Sequence, residues 1–140
     1  MGNHLLTLHN DIGEIDRLHE FVDGICENYG VDAGEAMQLN LALEEAVSNV
    51  MLYAFPHDEV HSFELTCEAE ADGLTFEIVD DGIPFDPTAQ DNPDVTLSAE
   101  ERAIGGLGIY MVRQIMDEVH YEWRDGKNRL KMAKRLAINN

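Results

Sequence analysis

Basic side chains are nearly missing from most of this chain. Residues 1–112 carry only two, Arg17 and Arg102, against 24 acids, and seven of the nine Lys and Arg residues lie from Arg113 onward. The formal net charge is −19 over 140 residues. Such a surface repels a phosphate backbone, which argues against nucleic-acid binding as the main activity and suits a basic protein partner or plain solubility. Cysteine is also scarce. Cys26 falls on a helical pattern and Cys67 on an alternating one, so both read as small core residues in a reducing cytoplasm rather than as a disulfide. No apolar run is long enough to span a membrane, and the N-terminus lacks the layout of a signal peptide. No internal repeat or low-complexity segment is present. The length and ordinary apolar content fit one domain, residues 1–140, with a real core.

What is present reads as an ordered series of elements. His4 to His9 alternates as an edge strand would. Asp11 with Glu14 opens a first helix with Ile15, Leu18, Val22, Ile25 and Tyr29 on one face, and Gly30 ends it. Asp32 with Glu35 opens a second helix that runs to Pro56. Phe63 to Ala69 and Leu74 to Val79 alternate as two strands around Ala71-Asp-Gly73, one face apolar and the other acidic. Residues 82–104 form a long connection in which Ser98 and Glu101 suggest one short helical turn. A third helix starts at Gly105-Gly-Leu-Gly108, with Ile109, Val112, Ile115 and Met116 inward. His120 to Trp123 and Arg129 to Leu136 close the chain as a hairpin around Asp125-Gly126. The expected fold class is α+β: a two-layer sandwich, helices on one face of a mixed, mostly antiparallel sheet.

Three stations on this frame carry chemistry. Glu45 and Asn49 stand one turn apart on the second helix, with Leu41 and Leu52 beside them on what reads as a largely buried helix. A carboxylate and an amide so placed hold Mg²⁺ through oxygen, or position a nucleophile beside it, or bond neighbouring backbone at the core edge. Glu44 points about 100° away, toward solvent or a partner. Asp80-Asp-Gly-Ile-Pro-Phe-Asp86 follows a strand. Its first carboxylate is placed to accept from an amino group such as that of adenine, with Gly82 admitting a flat ring, although Asp-Gly is also an everyday turn. Gly105-Gly-Leu-Gly108 at a helix start offers free N–H groups to an anion but lacks the lysine of a P-loop. His57 and His61 lack further ligands for zinc, and Trp123 sits as a strand residue rather than a base-stacking platform.

Together the three stations resemble the N, G1 and G2 boxes of the GHKL ATP-binding (Bergerat) fold shared by gyrase, Hsp90, histidine kinases and MutL. Within it, the tail Gly105-Gly-Leu-Gly-Ile-Tyr-Met-Val-Arg, Met116-Asp-Glu-Val, Tyr121 and Asn128-Arg-Leu130 is similar to that of the RsbW-like anti-sigma-factor serine/threonine kinases. The resemblance covers roughly residues 5–136. It implies that Glu45 is the general base for a protein hydroxyl, that Asn49 ligates Mg²⁺ on ATP, and that Asp80 receives the adenine amino group beside Gly82. It further implies that Gly105, Gly106, Leu107 and Gly108 cradle phosphates under a lid at about residues 86–104. Arg102, the one base in that lid, is a candidate for the γ-phosphate or for a lid salt bridge. The implied partner is an anti-anti-sigma (STAS-type) protein, with a sigma factor as a second candidate, and relatives often pair as homodimers. Two departures stand out: Pro84 replaces a second glycine of the G1 box, and Tyr53 stands where many relatives carry His. No helical segment with a phosphoacceptor His precedes the ATP module, which disfavours a histidine kinase. The competing expectation is an ATP-gated binding switch without catalysis, which needs Asn49 but not Glu45.

Overall fold

The computed structural model describes residues 2–56, 58–89 and 107–138. Among the described residues three helices, α1 (Ile15–Asn28), α2 (Ala33–Tyr53) and α3 (Leu107–Ile115), accompany five strands. The strands are β1 (Gly2–His9), β2 (Ser62–Glu70), β3 (Gly73–Asp80), β4 (Glu118–Arg124) and β5 (Lys127–Arg135). They form one sheet in the order β1-β2-β3-β5-β4. Every ladder among the described strands is antiparallel, in keeping with the mostly antiparallel sheet expected from the sequence. Placing β4 at the edge lets β5 return beside β3, which aligns Asp80 with Asn128 across the ladder.

Local chemistry explains each boundary. Asp11 caps a 3-10 turn over Ile12–Glu14, accepting from the Gly13 N–H at 2.9 Å, and α1 starts only at Ile15. Glu14 does not reach back to Asp11 as a capping box would. Its carboxylate instead takes the His9 ring at 2.9 Å and Arg17 at 2.8 Å, and these donors pull its pKa down to about 2. At the other end of α1, Gly30 adopts φ 70° and the Val31 N–H reaches the Cys26 carbonyl at 2.9 Å, a Schellman closure that favours glycine. Asp32 caps α2 by accepting from the Glu35 N–H at 2.8 Å. Asp125 and Gly126 both take positive φ, 57° and 73°, the pairing that a two-residue turn between twisted strands demands.

The core lies between the helices and one face of the sheet. Leu8, Leu65, Phe76, Ile78 and Met132 from the strands meet Leu18, Val22, Leu39, Leu43 and Val47 from α1 and α2, all essentially inaccessible to water. Cys26 and Cys67 are free, buried thiols, pushed by burial to pKa about 11 and about 12, so both serve as inert packing. The other sheet face is polar, carrying exposed Glu64, Glu68 and Glu70 beside Leu5. One expectation needs correction. α2 is not largely buried around Glu45, because Leu41 and Leu52 are 43% and 45% exposed. The helix buries only its sheet-facing side, and Glu45 and Asn49 stand half-buried at the margin. Among the described residues no helix is long and apolar enough to cross a membrane.

Candidate active site

A cleft opens between the second half of α2 and the β3–β5–β4 end of the sheet. Ala46, Asn49, Val50 and Ala54 line its helix side, while Ile78, Asp80, Tyr121, Asn128 and Leu130 line its sheet side. Phe85 and Pro87 from the loop after β3 complete it. The fold thus brings two residues singled out in the sequence, Asn49 and Asp80, into one apolar cleft with few polar groups. A lining of this kind, mostly apolar with a few polar groups, is the type that orients a ring by one or two hydrogen bonds.

Asp80 is 4% exposed at the end of β3. Its Oδ1 accepts from the Gly82 N–H and from Asn128 Nδ2, both at 2.9 Å. Burial raises its pKa, and these two donors oppose the rise. Both bonds land on Oδ1, which leaves Oδ2 as the oxygen available to the cleft. Gly82 has a reason within the fold itself to be glycine. A Cβ there would stand 2.2 Å from the Ala54 carbonyl oxygen, so the backbone packs closely on the end of α2. Ile83 N–H seals this junction by donating to the same carbonyl at 3.0 Å. The glycine therefore docks the loop carrying Phe85 against α2.

Asn128 is the residue that the reading of separate motifs did not place in the site. It is 4% exposed and uses its whole amide. Nδ2 donates to Asp80 Oδ1 at 2.9 Å and to the Ile83 carbonyl at 2.8 Å. Oδ1 accepts from Phe85 N–H at 3.0 Å and from the Tyr121 hydroxyl at 2.5 Å. One side chain thus ties β3, the loop after it, β4 and β5 together. Its signal in the sequence is a polar residue at an inward position, sharing strand parity with Leu130 and Met132. Phe85, held by that amide, also stacks on Tyr53 with ring centroids 5.9 Å apart. Tyr53, the departure noted above, is therefore a wall support. Beyond Phe85, Asp86 Oδ1 accepts from Thr88 N–H at 2.8 Å and caps the 3-10 turn Pro87–Ala89. Arg113 of α3 donates to the Thr88 carbonyl, joining this turn to the third helix.

Glu45 stands one turn before Asn49, beside the cleft rather than in its lining. Its Oε2 is buried with no hydrogen-bond partner among the described residues. Burial, with the neighbouring Glu44 charge as a smaller cause, raises its pKa to about 7. Glu44 itself lies 3.3 Å from His19 of α1. A carboxylate poised near neutrality with a free oxygen has the properties of a general base. Leu107 and Gly108 open α3, which packs along α2. Gly105, Gly106 and Arg102, with residues 90–104 of the expected lid and its short helical turn, lie outside the described residues.

Comparison with known proteins agrees with this geometry. Residues 8–134 match the family described as histidine kinase-like ATPase domain. The serine/threonine-protein kinase BtrW of Bordetella bronchiseptica is 29% identical over 99 residues, covering 71% of this chain and 70% of that protein. The serine-protein kinases RsbW of Listeria monocytogenes and Bacillus subtilis are each 28% identical over 109 residues, covering 75% of this chain and 69% and 68% of theirs. A cleft built from the second helix and the end of the third strand, within a match spanning nearly the whole chain, identifies it: the protein belongs to the histidine kinase-like ATPase domain family and is similar, within it, to the RsbW-type serine-protein kinases.

Proposed function

We propose that the chain is an ATP- and Mg²⁺-dependent serine/threonine protein kinase that regulates by binding its targets, with an anti-anti-sigma (STAS-type) protein as phosphoacceptor and a sigma factor as a second partner. The observation that carries this reading is Glu45: a free, buried carboxylate oxygen on a group with pKa about 7. A switch that only binds nucleotide has no use for such a group, and an unpartnered buried oxygen is costly to keep.

The residues present fit the nucleotide and the ion. Asp80 Oδ2 is left over from the network that consumes Oδ1, and it would accept the exocyclic amino group of adenine between the apolar walls of α2 and the sheet. Among the described residues no cluster of three or more His, Cys, Asp or Glu could hold a metal alone. Mg²⁺ would therefore take the Asn49 amide oxygen together with phosphate and water oxygens, as this ion commonly does. ATP with its Mg²⁺ supplies the phosphoryl group and neutralises its charge. Glu45, ionised above about pH 7, accepts the proton of the attacking serine or threonine hydroxyl and orients its oxygen. Gly105, Gly106, Leu107 and Gly108 would serve the phosphates through backbone N–H groups at the start of α3, and Arg102 would approach the γ-phosphate.

The test is incubation with γ-labelled ATP, Mg²⁺ and the STAS-domain protein encoded nearby. Label is expected on a serine or threonine of that protein and is expected to vanish with Glu45→Ala, a loss of about a hundredfold or more. ATP binding with no transfer by the unaltered chain would instead make it an ATP-gated switch.

A further inference from the structure

The solvent-facing side of α2 carries an apolar row that nucleotide binding leaves unused. Met37 and Leu41 are 65% and 43% exposed. They precede Glu45 by eight and four residues on one i, i+4 ridge that winds about 80° and about 40° round the helix, so they stand about 12 Å and about 6 Å from it along the axis. Single exposed apolar residues are commonplace. These two differ in leading along the helix to a carboxylate whose Oε2 has no partner among the described residues.

α1 borders the row and sets its charge. Asn40 Nδ2 donates to Asp23 Oδ1 at 2.8 Å, and His19 lies 3.3 Å from Glu44, so the two helices join along this margin. Asp16, Glu20, Asp23 and Glu27 repeat there at helical spacing, and all are exposed. Arg17, the one Lys or Arg of α1, is committed to Glu14 at 2.8 Å.

We infer that the Met37–Leu41 row is the docking track for the partner segment that presents its hydroxyl to Glu45, and that this segment is extended, apolar on one face and basic on the other. The inference rests on the kinase reading, because a polypeptide whose hydroxyl reaches Glu45 lies against the surface next to it. Period supports the extended form. Same-face side chains of a strand recur about every 6.6 Å, close to the ~6 Å step from Glu45 to Leu41 and from Leu41 to Met37. Apolar side chains two and four residues from the phosphoacceptor then meet Leu41 and Met37 in turn. Lys or Arg between and beyond them meet the acids of α1, which steer encounter and choose among partners.

The experiment is steady-state phosphorylation of the same STAS-type protein by Met37→Asp, Leu41→Asp and the milder Met37→Gln, with ATP affinity read separately by calorimetry. Both aspartate variants are expected to raise KM for the protein about tenfold or more, with ATP affinity unchanged and kcat within about twofold. Asp16→Lys with Glu20→Lys is expected to raise the same KM and flatten its dependence on salt. An unmoved KM in the Met37 and Leu41 variants overturns the proposal. If the unaltered chain transfers no label, the kinase reading fails. The surface is then read by calorimetric binding of the same protein in the presence of a nonhydrolysable ATP analogue and Mg²⁺. Binding lost in Met37→Asp supports the track, whereas equal binding, or none by the unaltered chain, overturns it. Sedimentation showing that Met37→Asp splits a homodimer without moving KM assigns the row to a second copy and likewise overturns it.

Discussion

At the end of β3, Asp80 sits in a finished network, while on α2 across the margin of the cleft Glu45 ends in an oxygen with no partner among the described residues. Burial raises the pKa of both carboxyls, yet only Asp80 has donors opposing the rise. The contrast divides the site by the source of its missing partners. The Asp80 region is organised by the protein itself, through Asn128, Gly82 and the end of α2, and is ready for a ligand with one donor to offer. The Glu45 region is left open, as the proposed docking of a second macromolecule requires.

The largest effect expected from breaking the finished half comes from Asp80→Asn. The amide keeps an oxygen for Gly82 and Asn128 but places an NH2 group where Oδ2 stood, donor against the donor of the adenine amino group. ATP affinity is expected to fall at least about a hundredfold with little change in thermal stability. Calorimetric titration with ATP and Mg²⁺ checks this, and binding within tenfold of the unaltered chain would remove Asp80 from the adenine role.

Asn128→Ala attacks the same half through its scaffold. It removes four hydrogen bonds, to Asp80, the Ile83 carbonyl, Phe85 N–H and the Tyr121 hydroxyl. Several of those atoms lie near the cleft, where water replaces part of the loss. A destabilisation of about 2 kcal/mol is expected by urea unfolding, with ATP binding weakened as the Phe85 loop loosens. An undiminished midpoint would show that the network is redundant.

These two residues also show where sequence reading succeeds. Asp80 announces itself because a strand period ends on it and a turn follows, and both are local. The same holds for the Asp32 cap, the Asp125-Gly126 turn and the alternation of β2 and β3. Asn128 acquires its role only because β5 returns beside β3 and brings the two residues into register. That pairing spans a helix and a long connection, and no local pattern encodes it. The direction of α2 failed to show for the opposite reason. Residues 39–55 are apolar almost all round, so no stripe distinguishes the buried side, and Leu41 and Leu52 read as core although both face solvent.

The smallest effect probes the open half through charge. Glu44 contributes to the high pKa of Glu45, but burial is the larger cause. Glu44→Gln removes a neighbouring negative charge, which favours ionised Glu45, so the midpoint of kcat/KM against pH is expected to move down from about 7 by less than one unit. Activity at pH 6 then rises while the plateau above pH 8 stays put. Stability follows the same group with a definite sign. Its folded pKa lies above the ordinary value of 4.5, so the stability owed to protonated Glu45 is complete below that value and is lost as pH rises through about 7. Glu45→Gln is accordingly expected to unfold at a higher denaturant concentration than the unaltered chain at pH 8, with the difference shrinking toward pH 4. Asp80→Asn removes a buried charge as well, but it also gives up a carboxylate that two donors favour, so its gain at pH 8 is expected to be the smaller. Equal gains would mean that the network around Asp80 does nothing for its charge, and the distinction between the two halves of the site would fall.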